Sequence, residues 1–236
     1  MRTDLSQDTL KDLKQNRLEA VPHKTSSPYL RGYEFSPDVV FDVGVEKGTG
    51  YLYHAFPDAH HVLIDPLTES RDAIANSGLA VSHDFHCCAV GEAAGEEVLN
   101  IPTVKRGTRL AMSSLGQRTD NMSKRFQSVE ERTVPLRRLD DIAAGYSGRF
   151  GLKIDTEGHE LQVLRGATAM LDACEFVILE LSVTQRFADI NPPSEIFALL
   201  ARHGLEYRDV LAVSNTTWKN PQPRHQDALF TRWESA

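Results

Sequence analysis

Short apolar runs recur along the chain, and most of them close on glycine, aspartate or proline. Residues 39–43 (Val-Val-Phe-Asp-Val) end at Gly44, residues 61–64 end at Asp65-Pro66, and residues 85–90 end at Gly91. Residues 98–104, 133–136, 152–155 and 176–181 read the same way. Runs of this length bounded by turn residues predict buried strands. Helical stretches are predicted between them over 47–56, 67–77, 139–144, 157–171 and 193–203; Leu161, Leu164, Ala167 and Leu171 form one apolar stripe in the fourth. Residues 205–213 and 228–233 could pair as a terminal hairpin. Strands alternating with helices predict an α/β fold with a doubly wound, mostly parallel sheet and a C-terminal antiparallel hairpin.

The first 36 residues lack this alternation. Leu5, Leu10, Leu13 and Leu18 lie among charges as a short amphipathic helix. Residues 22–37 hold Pro22, Pro28 and Pro37 with Ser26, Ser27 and Gly32, and read as a connector. The expected organisation is an N-terminal helical and connector segment over 1–36, and one domain over 37–236 carrying a polar, weakly patterned insertion at about 102–138. Trp218 and Trp233 read as packing or interface residues.

Composition narrows the functional classes. The net charge of −7 over 236 residues argues against a general nucleic-acid binder or a protein held on anionic membranes. Cys87, Cys88 and Cys174 give neither a disulfide framework nor a metal-knuckle spacing, which favours a reducing compartment. The N-terminus has no apolar core of a signal peptide and no run is long enough to span a bilayer, so the sequence reads as cytoplasmic. It leaves open a homo-oligomer.

Candidate chemistry gathers at the predicted strand ends. Asp42-Val43-Gly44-Val45-Glu46-Lys47-Gly48 forms a glycine turn after the first strand, and Asp65 follows Gly44 by 21 residues. That spacing suits an acidic residue accepting from ribose hydroxyls. The turn is not Gly-x-Gly-x-x-Gly, and Asp42 and Glu46 would repel a pyrophosphate. S-adenosylmethionine carries no phosphate but does carry an ammonium and a sulfonium, so carboxylates favour it over NAD. Residues 152–160 (Leu-Lys-Ile-Asp-Thr-Glu-Gly-His-Glu) then deliver Asp155, Glu157, His159 and Glu160 to a predicted helix start.

Val40-Phe41-Asp42-Val43-Gly44, Leu63-Ile64-Asp65-Pro66, Ala89-Val90-Gly91, Ser113-Ser114-Leu115, Leu139-Asp140-Asp141-Ile142 and the block from Leu152 to Ala167 together resemble the FkbM family of S-adenosylmethionine-dependent methyltransferases. The family commonly has Ala-Asn at Val45-Glu46 and often Glu at Asp65. The resemblance implies a Rossmann-like class I methyltransferase domain that methylates a hydroxyl of a sugar or natural product. It also implies a cofactor site built on Asp42, Gly44, Glu46, Gly48, Asp65, Ala89, Val90 and Asp155.

His159 is the first candidate for the base that takes the acceptor's proton, because a helix N-terminus disfavours imidazolium. Asp155 and Glu157 are rivals or orienting groups, and Glu160 reads as a helix-start carboxylate. Asp155 and Glu180 end two strands and could hold a Mg²⁺ ion. Residues 102–138 contain nine basic and three acidic side chains, as a lid over an anionic or sugar-like small-molecule acceptor would. A nicotinamide-dependent oxidoreductase and a non-catalytic nucleoside-binding relative are the competing readings.

Overall fold

The computed structural model describes residues 6–18, 23–214 and 222–233; Leu5, Pro22 and Trp218 lie outside them. The chain begins with α1 (Gln7–Gln15) and α2 (Ser27–Arg31), then runs β1 (Val39–Val43), α3 (Gly50–Ala55), β2 (His60–Ile64), α4 (Thr68–Asn76) and β3 (His83–His86). A second group follows: β4 (Ala89–Val90), β5 (Gly95–Val104), β6 (Gly107–Thr108), β7 (Ser128–Arg137) and α5 (Leu139–Ala143). The chain then completes the main sheet with β8 (Phe150–Ile154), α6 (Glu160–Arg165), α7 (Thr168–Leu171), β9 (Cys174–Ser182), α8 (Pro193–Arg202), β10 (Leu205–Val213) and β11 (His225–Arg232).

The main sheet has the order β10-β11-β9-β8-β1-β2-β3. Strands β3, β2, β1, β8 and β9 are parallel, and β11 is antiparallel to both β9 and β10. The expected terminal hairpin is present, with its second strand inserted next to β9. This is the Rossmann-like doubly wound arrangement. The central strands β1 and β8 are buried at every residue, because helices cover both faces. Phe41, Leu152, Ile154, Leu164 and Val177 pack on one side; Val40, Leu52, Leu63, Phe176 and Leu229 pack on the other. A smaller sheet, β4-β7-β5-β6, closes a third cluster of Leu67, Ala89, Leu99, Ile101 and Val134.

Three expectations are corrected. The single strand over 85–90 is two strands in different sheets: the chain turns at Cys87-Cys88, where the Cys88 N–H donates to the His86 carbonyl at 3.0 Å. The helix over 157–171 is broken into α6 and α7 and starts later. Glu157 and Gly158 have left-handed backbones (φ 51° and 100°), which no helix accommodates. Gly166 breaks it again by lying against Gly91, where a Cβ would sit 2.0 Å from the Gly91 carbonyl oxygen. The connector over 22–37 contains α2 and is docked on the β10 edge. Leu30 is buried, Lys24 pairs with Asp209 at 2.5 Å, and the Tyr29 and Tyr33 hydroxyls donate to Asp209 at 2.7 and 3.0 Å. No helix among the described residues is long and apolar enough to cross a membrane.

Candidate active site at the strand tips

The sheet changes winding direction between β1 and β8, and a crevice forms where connections leave neighbouring strand tips in opposite directions. Here the tips touch. Gly44 has φ +81°, and a Cβ there would meet the Asp155 carbonyl oxygen at 1.9 Å, so only glycine lets β1 end against β8. The rim beyond is held by Asp65. Its Oδ2 accepts the Glu46 N–H and its Oδ1 the Leu67 N–H, both at 2.9 Å. Glu46 takes a left-handed backbone (φ 47°) to make that bond. A cavity of about 390 Å³ opens on this rim, enough for a small-molecule site.

Of the residues expected to hold a cofactor, Gly44, Glu46, Gly48, Asp65, Ala89, Val90 and Asp155 line the cavity. Glu157 and His159 line it too. Asp42 does not. It is fully buried behind the wall, accepting from the Tyr53 hydroxyl at 2.6 Å and standing 3.4 Å from Lys153 Nζ. Asp42 and Lys153 are register partners in the middle of the sheet, a charge pair in an otherwise apolar layer. Lys153 also reaches Asp155 at 3.6 Å and contributes to the cavity floor. Burial opposes its charge, but Asp42 and Asp155 outweigh it and hold the ammonium well above the ordinary lysine range. Burial pushes Asp155 up; Lys153 resists that rise, and Glu180 and Asp42 add to it. Asp227, from β11, lines the same floor and is raised to about 6 by burial and by Asp155.

The corner after β8 is tied together by ions. Glu157 Oε2 accepts from Arg118 at 2.5 Å and from Arg186 at 3.2 Å. Arg186 is itself buried, and its guanidinium also meets Glu180 at 2.5 Å, Ser182 and, at 3.1 Å, His225 Nδ1. Glu180 Oε2 lies 2.8 Å from His225 Nδ1. Burial alone would raise Glu180, but His225 and Arg186 bring it down to about 2. With both oxygens already engaged, Glu180 does not fit the expected Mg²⁺ pair with Asp155. Among the described residues no group of three or more His, Cys, Asp or Glu side chains is placed to hold a metal ion.

His159 caps the start of α6 and has no hydrogen-bond partner among the described residues; burial lowers its pKa, so the ring is neutral near pH 7. Glu160 turns back into the loop, where Oε1 accepts from the Thr156 N–H and hydroxyl at 3.2 Å and the Gly158 N–H at 2.9 Å. Burial raises it to about 7.

The segment over 102–138 does roof the cavity, but with Leu110, Ala111, Ser113, Ser114 and Leu115. None of its nine basic residues lines the cavity. Arg118 is turned into the Glu157 cluster, while Arg132 and Arg138 pair with Glu69, Glu130 and Asp140 nearer the surface. An anionic acceptor therefore meets no basic group of this segment. The wall instead carries Glu46, Asp65, Asp155, Glu157 and Asp227 against Lys153.

Sequence reasoning assigned no role to Lys153, Arg186 or Asp227. Lys153 left a readable signal: a lysine inside a run buried on both faces needs a carboxylate partner. Arg186 and Asp227 sit in segments whose local pattern carries no such mark.

The carboxylate-lined rim, the glycine contact at Gly44 and a Glu46 N–H already committed to Asp65 fit S-adenosylmethionine and leave little for a pyrophosphate. Residues 42–207 match the family model described as the methyltransferase FkbM domain. No curated protein matches the chain. Among solved structures, the chain is similar to magnesium protoporphyrin IX methyltransferase from Synechocystis PCC 6803 with bound S-adenosylmethionine (10% identity, TM-score 0.49, covering 99% of this chain and 86% of that one). It is also similar to the 1,6-didemethyltoxoflavin-N1-methyltransferase of Burkholderia thailandensis (12% identity, TM-score 0.46, covering 99% and 94%) and to Aeropyrum pernix fibrillarin (11% identity, TM-score 0.44, covering 94% and 74%). None of these likenesses assigns a role to a residue of this chain.

Proposed function

Because the chain belongs to the FkbM methyltransferase family and is an S-adenosylmethionine-dependent enzyme, we propose that it O-methylates a hydroxyl of a neutral saccharide or natural-product-like metabolite, with His159 as the base. The observation that carries the reading is the neutral imidazole of His159, without a hydrogen-bond partner among the described residues, opening onto the same cavity as the tips of β1, β2 and β8. The cofactor, when bound, supplies an electrophilic methyl group on a sulfonium. Gly44, Glu46, Gly48 and Asp65 would hold it at the rim, with Ala89 and Val90 as one wall and Asp155 at the floor. Asp42 acts from behind the wall, by fixing Lys153. His159 takes the acceptor's hydroxyl proton on a ring nitrogen, and burial keeps that nitrogen free below the ordinary imidazole range. The apolar roof of Leu110, Ala111 and Leu115 excludes water. The excess of carboxylates on the wall favours a neutral acceptor over a phosphorylated one.

The test is S-adenosylhomocysteine release across a panel of glycosides and hydroxylated metabolites. His159→Ala should lose about 10²-fold or more in turnover while binding S-adenosylhomocysteine as the wild type does. Undiminished turnover would remove His159 from the chemistry. A preference for phosphorylated over neutral acceptors would overturn the acceptor class.

A further inference from the structure

Glu157 sits beside the reacting corner and looks like a catalytic carboxylate, yet its bonds run away from chemistry and towards the roof. Its Oε2 accepts from Arg118 at 2.5 Å, and its backbone carbonyl accepts from the Ser114 hydroxyl at 2.6 Å. Both donors belong to the roof. The same carboxylate oxygen takes Arg186 at 3.2 Å, and the loop carrying Arg186 is stitched to the roof: Thr119 N–H donates to the Arg186 carbonyl at 2.8 Å and Ala188 N–H to the Gln117 carbonyl at 2.9 Å. The Arg118 guanidinium lies over the Phe187 ring at 4.7 Å, and Phe187 fills the space that any side chain at Gly158 would need.

The backbone at this point is under strain. Glu157 has φ 51°, a conformation that costs a non-glycine residue free energy and persists only where surrounding contacts impose it. Glu157 is followed by Gly158 at φ 100° and then by His159, so the contacts that impose the turn also set where His159 points. Glu160 holds the turn from within, its Oε1 accepting the Gly158 N–H at 2.9 Å; the contacts on Glu157 itself come from the roof and from Arg186.

We propose that Glu157 is a positioning residue that latches the cavity roof (residues 110–120) to the β8 corner, so that roof closure and the placement of Asp155 and His159 are one event. An unlatched roof opens the cavity and at the same time releases the strained turn. The corner is therefore assembled when the site is closed and slackens when it opens.

The proposal rests on the methyltransferase reading only for its kinetic consequence; the latch itself is measured on the free protein. Amide hydrogen exchange across residues 113–120 reads roof opening directly. Glu157→Gln keeps the shape and removes the charge. It should speed exchange there on the order of tenfold, since a bond between charged groups is among the stronger ones lost. Ser114→Ala removes the tie to the Glu157 carbonyl together with the acceptor of the Gly116 N–H (3.0 Å), so it is read at the other amides of the roof, where it should give a smaller rise. It also keeps the test open if Glu157→Gln unfolds, which circular dichroism would show. His159→Ala should leave roof exchange at the wild-type rate. In turnover, Glu157→Gln should raise KM and lower kcat together, with Glu157→Asp recovering part of each. Wild-type roof exchange in both Glu157→Gln and Ser114→Ala would overturn the latch. A Glu157→Gln protein with lost turnover but an unchanged roof would make Glu157 a catalytic residue instead. Failure of the acceptor assignment would leave the exchange result standing.

Discussion

The rim at β1 and β2 and the corner after β8 face each other across one cavity, but they are built in opposite ways. The rim is local. Gly44, Glu46 and Asp65 lie within 22 residues, and backbone N–H groups meeting one carboxylate hold it. The corner depends on side chains far along the chain: Arg118 is 39 residues before Glu157 and Arg186 is 29 after it. A site wall made of backbone is fixed by its own residues, whereas a wall made of ion pairs is only as firm as the segments that bring the charges.

Breaking the contact between the two regions should have the largest effect. Gly44→Ala places a methyl group 1.9 Å from the Asp155 carbonyl oxygen at a positive φ. We expect a loss on the order of 5 kcal/mol, or no folded protein, by urea denaturation. A stable variant with intact S-adenosylhomocysteine binding would show that rim and corner are not in fixed contact.

Lys153→Met should come next. It leaves Asp42 buried without its cation and Asp155 without a counter-ion, at a cost of about 3–5 kcal/mol. Adding Asp42→Asn should recover part of that loss. Simple additivity of the two would mean that the pair is not coupled.

Glu160 sharpens the comparison through pH. Folded Glu160 keeps its proton up to about pH 7, whereas the ordinary value is 4.5. The folded state therefore binds more protons in that window, and stability falls as pH rises through it, by no more than about 3 kcal/mol. Glu160→Gln should flatten the slope between pH 4.5 and 7. An unchanged slope would place the titrating group elsewhere.

The smallest effect belongs outside both regions. Arg132 pairs with Glu69 and Glu130 with a third of its side chain exposed. Arg132→Ala should cost about 0.5 kcal/mol and leave cofactor binding unchanged. A larger effect would mean that the antiparallel pair of β5 and β7 transmits to the cavity.

The strands of the main sheet were legible because burial on both faces leaves a nearly continuous apolar run, and β1 begins and ends where the pattern predicts. The glycine turn and Asp65 were legible because their geometry is a matter of backbone and short spacing. The helix over 157–171 misled because an apolar stripe does not reveal that Glu157 and Gly158 are left-handed, or that Gly166 must lie against Gly91. Residues 85–90 misled because apolar continuity cannot show a chain leaving one sheet for another. Asp42 was expected at the cofactor because it lies just before the glycine turn. Only the register pairing with Lys153 shows that its carboxylate faces the core.

The order of short apolar runs and the polar groups at their ends determined by themselves a doubly wound sheet and which strand tips border the cavity, since burial and turn geometry act over a few residues. Which carboxylate would face the cavity, which would be neutralised and where the basic insertion would point was decided only when distant segments met. Charges interact through space, and the fold sets those distances.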